Sequence, residues 1–275
     1  MFDNIDIDPN TTFIFIDGSY YCFYRYYSLI NWWKLAHKDE LLEDPYTNEL
    51  FLEKFKKTFI ENIREMPRKL KLDKKIIPKI IVGKDCKREN IWRTELYEKY
   101  KGTREQNESF MGKPFFQMVY EDNLFEKAGV EKILYHPKLE ADDCIAICVK
   151  KLIELYPVCT IYIITSDRDY LQLNAHNVKL FNLAYKNIAE NKSSTGDALT
   201  DLKIKILSGD ISDNIPPVFP KCGIKTAIKC IENEDFFKTK MNNNKDYYRQ
   251  YELNKQLIDF NCIPTDLITE FWQKV

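Results

Sequence analysis

No stretch of this 275-residue chain approaches the roughly 18 consecutive apolar residues of a membrane-spanning helix. The acidic, polar N-terminus also lacks the basic start and apolar run of a secretory signal. Both absences predict an intracellular location. Histidine is scarce, with three in all, and the eight cysteines are scattered without a C-x-x-C pair, so neither a zinc site nor a disulfide framework is expected. Cys144 and Cys148, one helical turn apart, read as small core residues. Net charge is missing too: 41 basic residues stand against 42 acidic ones, so there is no global attraction for nucleic acid and any such attraction must be local. What the chain does have is core-forming material, 44% hydrophobic and 14% aromatic residues, ample for one large domain or two small ones.

Short β-branched or aromatic runs recur at Thr12–Ile16, Lys79–Val82, Lys132–Tyr135, Thr160–Ile164 and Val178–Asn182, as buried strands should. Longer helical patterns separate them. That rhythm predicts a parallel, helix-covered α/β sheet, in which ligands sit beyond the carboxyl ends of the strands. The residues at those ends are acidic: Asp17 after the first run, Asp85 after the second, Glu140, Asp142 and Asp143 opening the helix after the third, and Asp167 and Asp169 after the fourth. An Asp behind a strand is commonly a turn former or a helix N-cap, and taken alone Asp17 or Asp85 is more often that than a ligand. Four coincident strand ends are harder to explain that way.

The stretch "LEADDCIAI" (139–147) sharpens the point. Acidic residues in a first helical turn gain roughly 0.3 to 1 kcal/mol each from the helix dipole, which accounts for one or two of the three, while the third adds repulsion. Converging carboxylates almost free of histidine and thiol suit a hard cation with oxygen ligands, Mg²⁺ or Mn²⁺. Neighbouring helical residues point about 100° apart, so Asp142 and Asp143 can serve two different ions. Two such ions, about 3.5 to 4 Å apart, activate a water and stabilise the leaving oxygen in phosphodiester cleavage.

A phosphodiester substrate also needs cations. The segment after the second strand carries Lys84, Lys87, Arg88, Arg93, Lys99, Lys101 and Arg104 interleaved with Trp92, Tyr97 and Tyr100, a pattern that fits a single-stranded backbone with stacked bases. A solvated helix with internal ion pairs to Glu89, Glu95, Glu98 and Glu105 explains the same spacing equally well. Polar residues 103–113, flanked by Gly102 and Pro114, read as a mobile loop entering a helix. Further on, "LSGDISDNIPPVFPKCGIKTAIKCI" joins two helical patterns through a Pro-rich turn. Asp210 and Asp213 can reach the same metal centre, and the turn near Gly223, with Lys225, offers N–H groups and a charge to a phosphate.

Taken in order, Asp17-Gly18-Ser19, "KYKGTRE", "LEADD", "TSDRDYLQL" and "LSGDISDNIPP…GIKTA" resemble the 5′ nuclease family, which includes phage 5′ exonucleases, the nuclease domains of bacterial DNA polymerase I and flap endonucleases. The match runs from about Phe13 to Ile231. The resemblance implies a PIN-like α/β fold with a helical arch, at about residues 88–128, and a helix-three-turn-helix DNA-binding motif. A single nuclease domain over 1–275 is expected, with a catalytic core to about residue 200 and a helical part from 201. By motif position, Asp17, Asp85, Glu140 and Asp142 correspond to ligands of a first metal, and Asp143, Asp167, Asp169 and Asp213, with Asp210 close by, to ligands of a second. Lys101 corresponds to a lysine that positions the scissile phosphate and Lys225 to one that binds duplex; Arg88, Arg93, Lys99, Arg104 and Gly223 complete the expected DNA contacts.

The implied cofactors are two Mg²⁺, with Mn²⁺ able to substitute, and a monovalent cation at the turn motif. That turn departs from the family pattern, being one residue longer and retaining only Gly223 of its glycines. Tyr24 also stands where members commonly carry arginine, and Arg25 is assigned no catalytic role. In the aromatic run "YYCFYRYYSLINWW", Phe23 and Tyr24 are candidates for base stacking and most others for core packing. The expected activity is metal-dependent 5′ nucleolysis of branched or 5′-ended DNA, RNA–DNA hybrid included, as in primer removal during replication or repair. With about 45 residues after the turn motif, no polymerase domain is expected. A silent junction-binding scaffold and a metal-dependent phosphatase are the alternatives. Concentrated negative charge argues against the first, and the basic segment and turn motif argue against the second.

Overall fold

The computed structural model describes residues 8–103, 110–191 and 194–274. Five strands, β1 (Thr12–Asp17), β2 (Lys79–Gly83), β3 (Lys132–Leu134), β4 (Thr160–Ile164) and β5 (Val178–Phe181), form one all-parallel sheet in the order β3-β2-β1-β4-β5. These are the five expected runs, shifted by a residue at some ends. Along β1 the side chains alternate between two cores: Phe13 and Phe15 join one, Ile14 and Ile16 the other, the two-residue period of a strand buried on both faces. The chain leaves β1 for β2 and β3 on one side, then returns to add β4 and β5 on the other. The strand order therefore reverses beside β1, where ligand crevices form in such sheets.

Helices cover both faces. On the Ile14 side lie α1 (Gly18–Ala36), α2 (Glu49–Arg64), the short α3 (Met66–Lys69), α5 (Lys113–Glu121) and α6 (Leu124–Lys127). The short α4 (Arg93–Leu96) precedes α5, and Pro114 stands in the first turn of α5, where its missing N–H costs nothing. On the Phe13 side α7 (Ala141–Leu155) buries Cys144, Cys148, Ile145 and Leu152, so the two cysteines are core residues as expected. After β5 follow α8 (Ala198–Ser208), α9 (Ile224–Glu232), α10 (Glu234–Met241), α11 (Lys245–Ile258) and α12 (Thr265–Lys274).

The C-terminal end of the chain returns to the sheet, whereas α9 and α10 pack with α8 in a separate core. Phe260, Ile263, Leu267 and Phe271 enter the same core as Phe13 and α7. Gln172 ties this return in place, donating to the Ile258 carbonyl at 2.8 Å and accepting from the Phe260 N–H at 3.0 Å. Of the aromatic run, Tyr21, Tyr26 and Trp33 are core, whereas Phe23 is 42% exposed and packs against Phe110 and Phe116. Among the described residues no helix is long and apolar enough to cross a membrane.

Candidate metal centre

The carboxyl ends of β1 and β2 and the first turn of α7 are drawn together by their smallest residues. A Cβ on Gly18 would lie 2.6 Å from the Gly83 carbonyl oxygen, and one on Gly83 would lie 2.8 Å from that of Ala141. Any side chain at either position would push the acidic segments apart. Asp17 caps α1, accepting from the Tyr20 N–H at 3.0 Å. Asp85 accepts from the Ser19 hydroxyl and from the Ala141 N–H at 2.8 Å, which binds the end of β2 to both α1 and α7. Burial pushes the Asp17 carboxyl up to about 7, with repulsion from Asp85 and Asp167 adding to it and the Tyr20 N–H and Lys101 opposing it.

Glu140 and Asp143 form a capping box on α7, so the local explanation of "LEADD" is realised for two of its acids. Both are buried, at 5% and 0% exposure. Asp143 accepts from Arg93 Nη1 and Nη2 at 2.8 and 2.7 Å, from Trp92 Nε1 at 3.0 Å and from the Glu140 N–H at 3.2 Å. Glu140 accepts from Arg93 at 3.1 Å, from the Tyr100 hydroxyl at 3.0 Å and from the Lys101 ammonium. Asp142 is the exception. No lysine or arginine forms an ion pair with it among the described residues, and burial, then Asp143 and Glu140, push its carboxyl well above the usual range.

A second group gathers from two other elements. Asp167 and Asp169 flank the start of a 3₁₀ turn, Arg168–Leu173, and Asp210 and Asp213 lie in the turn after α8. Lys205 reaches from α8 to both Asp169 and Asp210, the latter at 2.6 Å. Against the effect of burial, Lys205 and Ser212 hold the Asp210 carboxyl down at about 2. Asp213, 5% exposed, accepts from Tyr100 at 3.1 Å and lies 3.7 Å from the Lys101 ammonium. Two triads, Glu140/Asp142/Asp143 and Asp169/Asp210/Asp213, thus each bring ligand oxygens within 4.8 Å of one another.

The donor set consists of carboxylates. The nearby Cys86 thiol is pushed up to about 12 by burial and the surrounding acids, so it stays protonated. Among the described residues Asp142 has no ion-pair partner, and Arg93 and Lys101 only partly offset the effect of burial and of the neighbouring acids on it. Among the described residues the buried Tyr170 hydroxyl has no hydrogen-bond partner, and the charges that bear on it come from Asp17, Asp142, Asp167 and Asp85. These features fit a hard divalent cation held by oxygen ligands.

All nine expected acids therefore lie at one edge of the sheet, but the expected cations divide. Arg93 is a correction: rather than facing DNA it is 2% exposed, its Nε donates to the Leu257 carbonyl at 2.7 Å and its guanidinium is spent on Asp143 and Glu140. Asp143, expected to serve a second ion, has both oxygens engaged by that same pairing. Lys101 points into the cluster, with left-handed backbone (φ 54°). Arg88, exposed, donates to the Lys101 carbonyl. Lys99 and Lys225 are exposed, Gly223 caps α9 with open space where a Cβ would be, and Arg104 lies outside the described residues. Sequence reasoning missed Lys205 and Tyr170. A lysine between Ile204 and Ile206, five residues before Asp210, was the available signal for the first, and adjacency to Asp169 the only one for the second.

Comparison with known proteins bears on what such a site does. Ribonuclease H of Enterobacteria phage T4 is 30% identical over 210 residues, covering 69% of this chain and 67% of that protein. The 5′-3′ exonuclease of Buchnera aphidicola (strain APS) is 30% identical over 257 residues, 90% of this chain and 77% of its own. In fold, the chain matches the phage T5 5′-exonuclease solved with bound zinc, with a TM-score of 0.62, 18% identity and coverage of 96% and 97%. It matches the phage T5 flap endonuclease solved with DNA and metal ions with the same TM-score, 16% identity and the same coverage. These likenesses agree with the expected PIN-like architecture. The model of the 5′-3′ exonuclease N-terminal, resolvase-like domain matches residues 12–201, the span that contains β1 to β5 and seven of the nine clustered acids, and on that match the chain belongs to the 5′-3′ exonuclease family.

Proposed function

We propose that this protein is a divalent-metal-dependent 5′ nuclease that hydrolyses phosphodiester bonds near 5′ ends or branches of DNA, including the RNA of a primer annealed to DNA. The observation that carries the reading is a pair of carboxylate triads, one at the first turn of α7 and one shared by the 3₁₀ turn after β4 and the turn after α8, next to Asp85 at the end of β2, which bonds to the first turn of α7. Mg²⁺ is the expected ion, with Mn²⁺ able to replace it. When bound, a pair of such ions activates a water and stabilises the leaving oxygen. Asp17, Asp85, Glu140 and Asp142 would hold the first, and Asp167, Asp169, Asp210 and Asp213 the second. Asp143 acts from behind, fixing Arg93 and through it the orientation of Glu140.

The chain's own cations have a double role in this reading. Lys101 and Lys205 offset part of the negative charge between Glu140, Asp213, Asp169 and Asp210. Divalent ions would take over that duty and free both ammonium groups for phosphate oxygens. The N-terminus of α9 beside Gly223, with Lys225, suits the backbone of the duplex arm. A monovalent cation at that turn belongs to the same proposal. The deciding assay labels the 5′ end of a flap, a nick and an RNA-primed duplex, and compares product lengths in Mg²⁺ and in chelator. Cleavage that resists chelator, or no cleavage of any of the three, overturns the reading.

A further inference from the structure

Tyr170 lies one residue beyond Asp169 in the 3₁₀ turn Arg168–Leu173 and is fully buried. Its ring packs edge-on to Phe260 at 6.3 Å and belongs to the core beneath the sheet edge. Phenylalanine would supply that packing without a polar atom. Among the described residues the Tyr170 hydroxyl is instead buried from bulk solvent and without a hydrogen-bond partner, an arrangement that is costly in a low-dielectric interior and that native proteins rarely leave unresolved. The groups whose charge reaches it come from three strand ends and the first turn of α7: Asp17, Asp142, Asp167 and Asp85. An unpartnered donor therefore lies one residue from Asp169 and within electrostatic range of the acids of the site, without a bond to any of them.

We infer that Tyr170 is a positioning residue of the metal centre, whose hydroxyl donates a hydrogen bond to a water in the coordination shell of a divalent ion held by Asp17, Asp85 and Asp142. The inference rests on the divalent-ion reading above. It explains why a phenol stands where a phenyl ring would pack: the ion's shell brings the missing acceptor into reach, and the donated bond fixes the direction of that water's lone pairs. Outer partners of this kind typically alter metal affinity by about 10- to 100-fold.

The test uses the full chain and the Tyr170→Phe variant, with Mn²⁺ alone as the probe. Calorimetric titration should show Mn²⁺ affinity reduced about tenfold in the variant, at the lower end of that range. Melting curves should differ in sign between the two conditions. In chelator the variant melts at or above the wild-type temperature, because an unsatisfied buried hydroxyl has been removed. In saturating Mn²⁺ it melts below wild type. A ring that mattered only for packing would leave Mn²⁺ affinity unchanged and would keep the melting temperature of the variant at or above wild type in both conditions, and either result overturns the inference while wild-type binding preserves the metal centre. Failure of the wild-type protein to bind Mn²⁺ at all would overturn both.

Discussion

Replacing Asp143 by Asn separates two roles that carboxylates play at this sheet edge. Asp143 is fully buried and bidentate to Arg93, itself 2% exposed. An Asn keeps the volume but removes the charge, and it turns an NH₂ group toward donors that need an acceptor. Breaking a buried pair costs about 3 to 5 kcal/mol because the surviving charge is left uncompensated. Arg93 would still hold Glu140 at 3.1 Å and the Leu257 carbonyl at 2.7 Å, so the lower end, about 3 kcal/mol, applies. With an unfolding entropy of about 2.1 cal/mol/K per residue, that corresponds to a drop in melting temperature of about 5 °C, with or without metal. Asp142→Asn should do the opposite in chelator, since Asp142 has no ion-pair partner and its charge is opposed by burial, Asp143 and Glu140. Its melting temperature should hold or rise, while stabilisation by Mg²⁺ is lost. Calorimetric scans of both variants in chelator and in Mg²⁺ decide the matter. Equal melting of the two in chelator would refute the division between a ligand and the anchor behind it.

Lys101→Ala should slow cleavage of a labelled flap by about 100-fold or more, the scale of a lost transition-state contact, with little change in DNA affinity measured in Ca²⁺; an equal loss in both would remove Lys101 from the chemistry. Lys225→Ala should behave inversely, weakening duplex binding and reducing the slope of log affinity against log salt by about 0.9, as for one lost phosphate contact, while single-turnover cleavage of saturated enzyme persists. For pH, the sign follows from Asp17. Its carboxyl is raised to about 7 in the metal-free fold from about 3.9 when unfolded, so between those values the folded state binds more protons and stability falls as pH rises. Melting temperature in chelator should therefore decline from pH 5 to pH 8, less so in Asp17→Asn, and a profile identical in the two proteins would count against the buried acid.

Much of this was legible in the chain because the signals are local. A strand buried on both faces must be a short run of β-branched and aromatic residues, and an acid at its end lies within two or three positions of that run. Asp17, Asp85 and Asp167 could thus be assigned to one sheet edge without coordinates. The roles of the cations could not, because a cation's role depends on its distant neighbours. Arg93 reads as part of a basic stripe until Asp143 and Leu257, 50 and 164 residues away, close over it. Lys205 reads as one of several polar positions in an amphipathic helix until Asp169 meets it from another element. Tyr170 reads as a core aromatic, and only burial together with the lack of a partner distinguishes its hydroxyl. Periodicity specifies which residues leave water; which charges then meet one another depends on long-range packing, and that packing separates an exposed phosphate contact from a buried counterion.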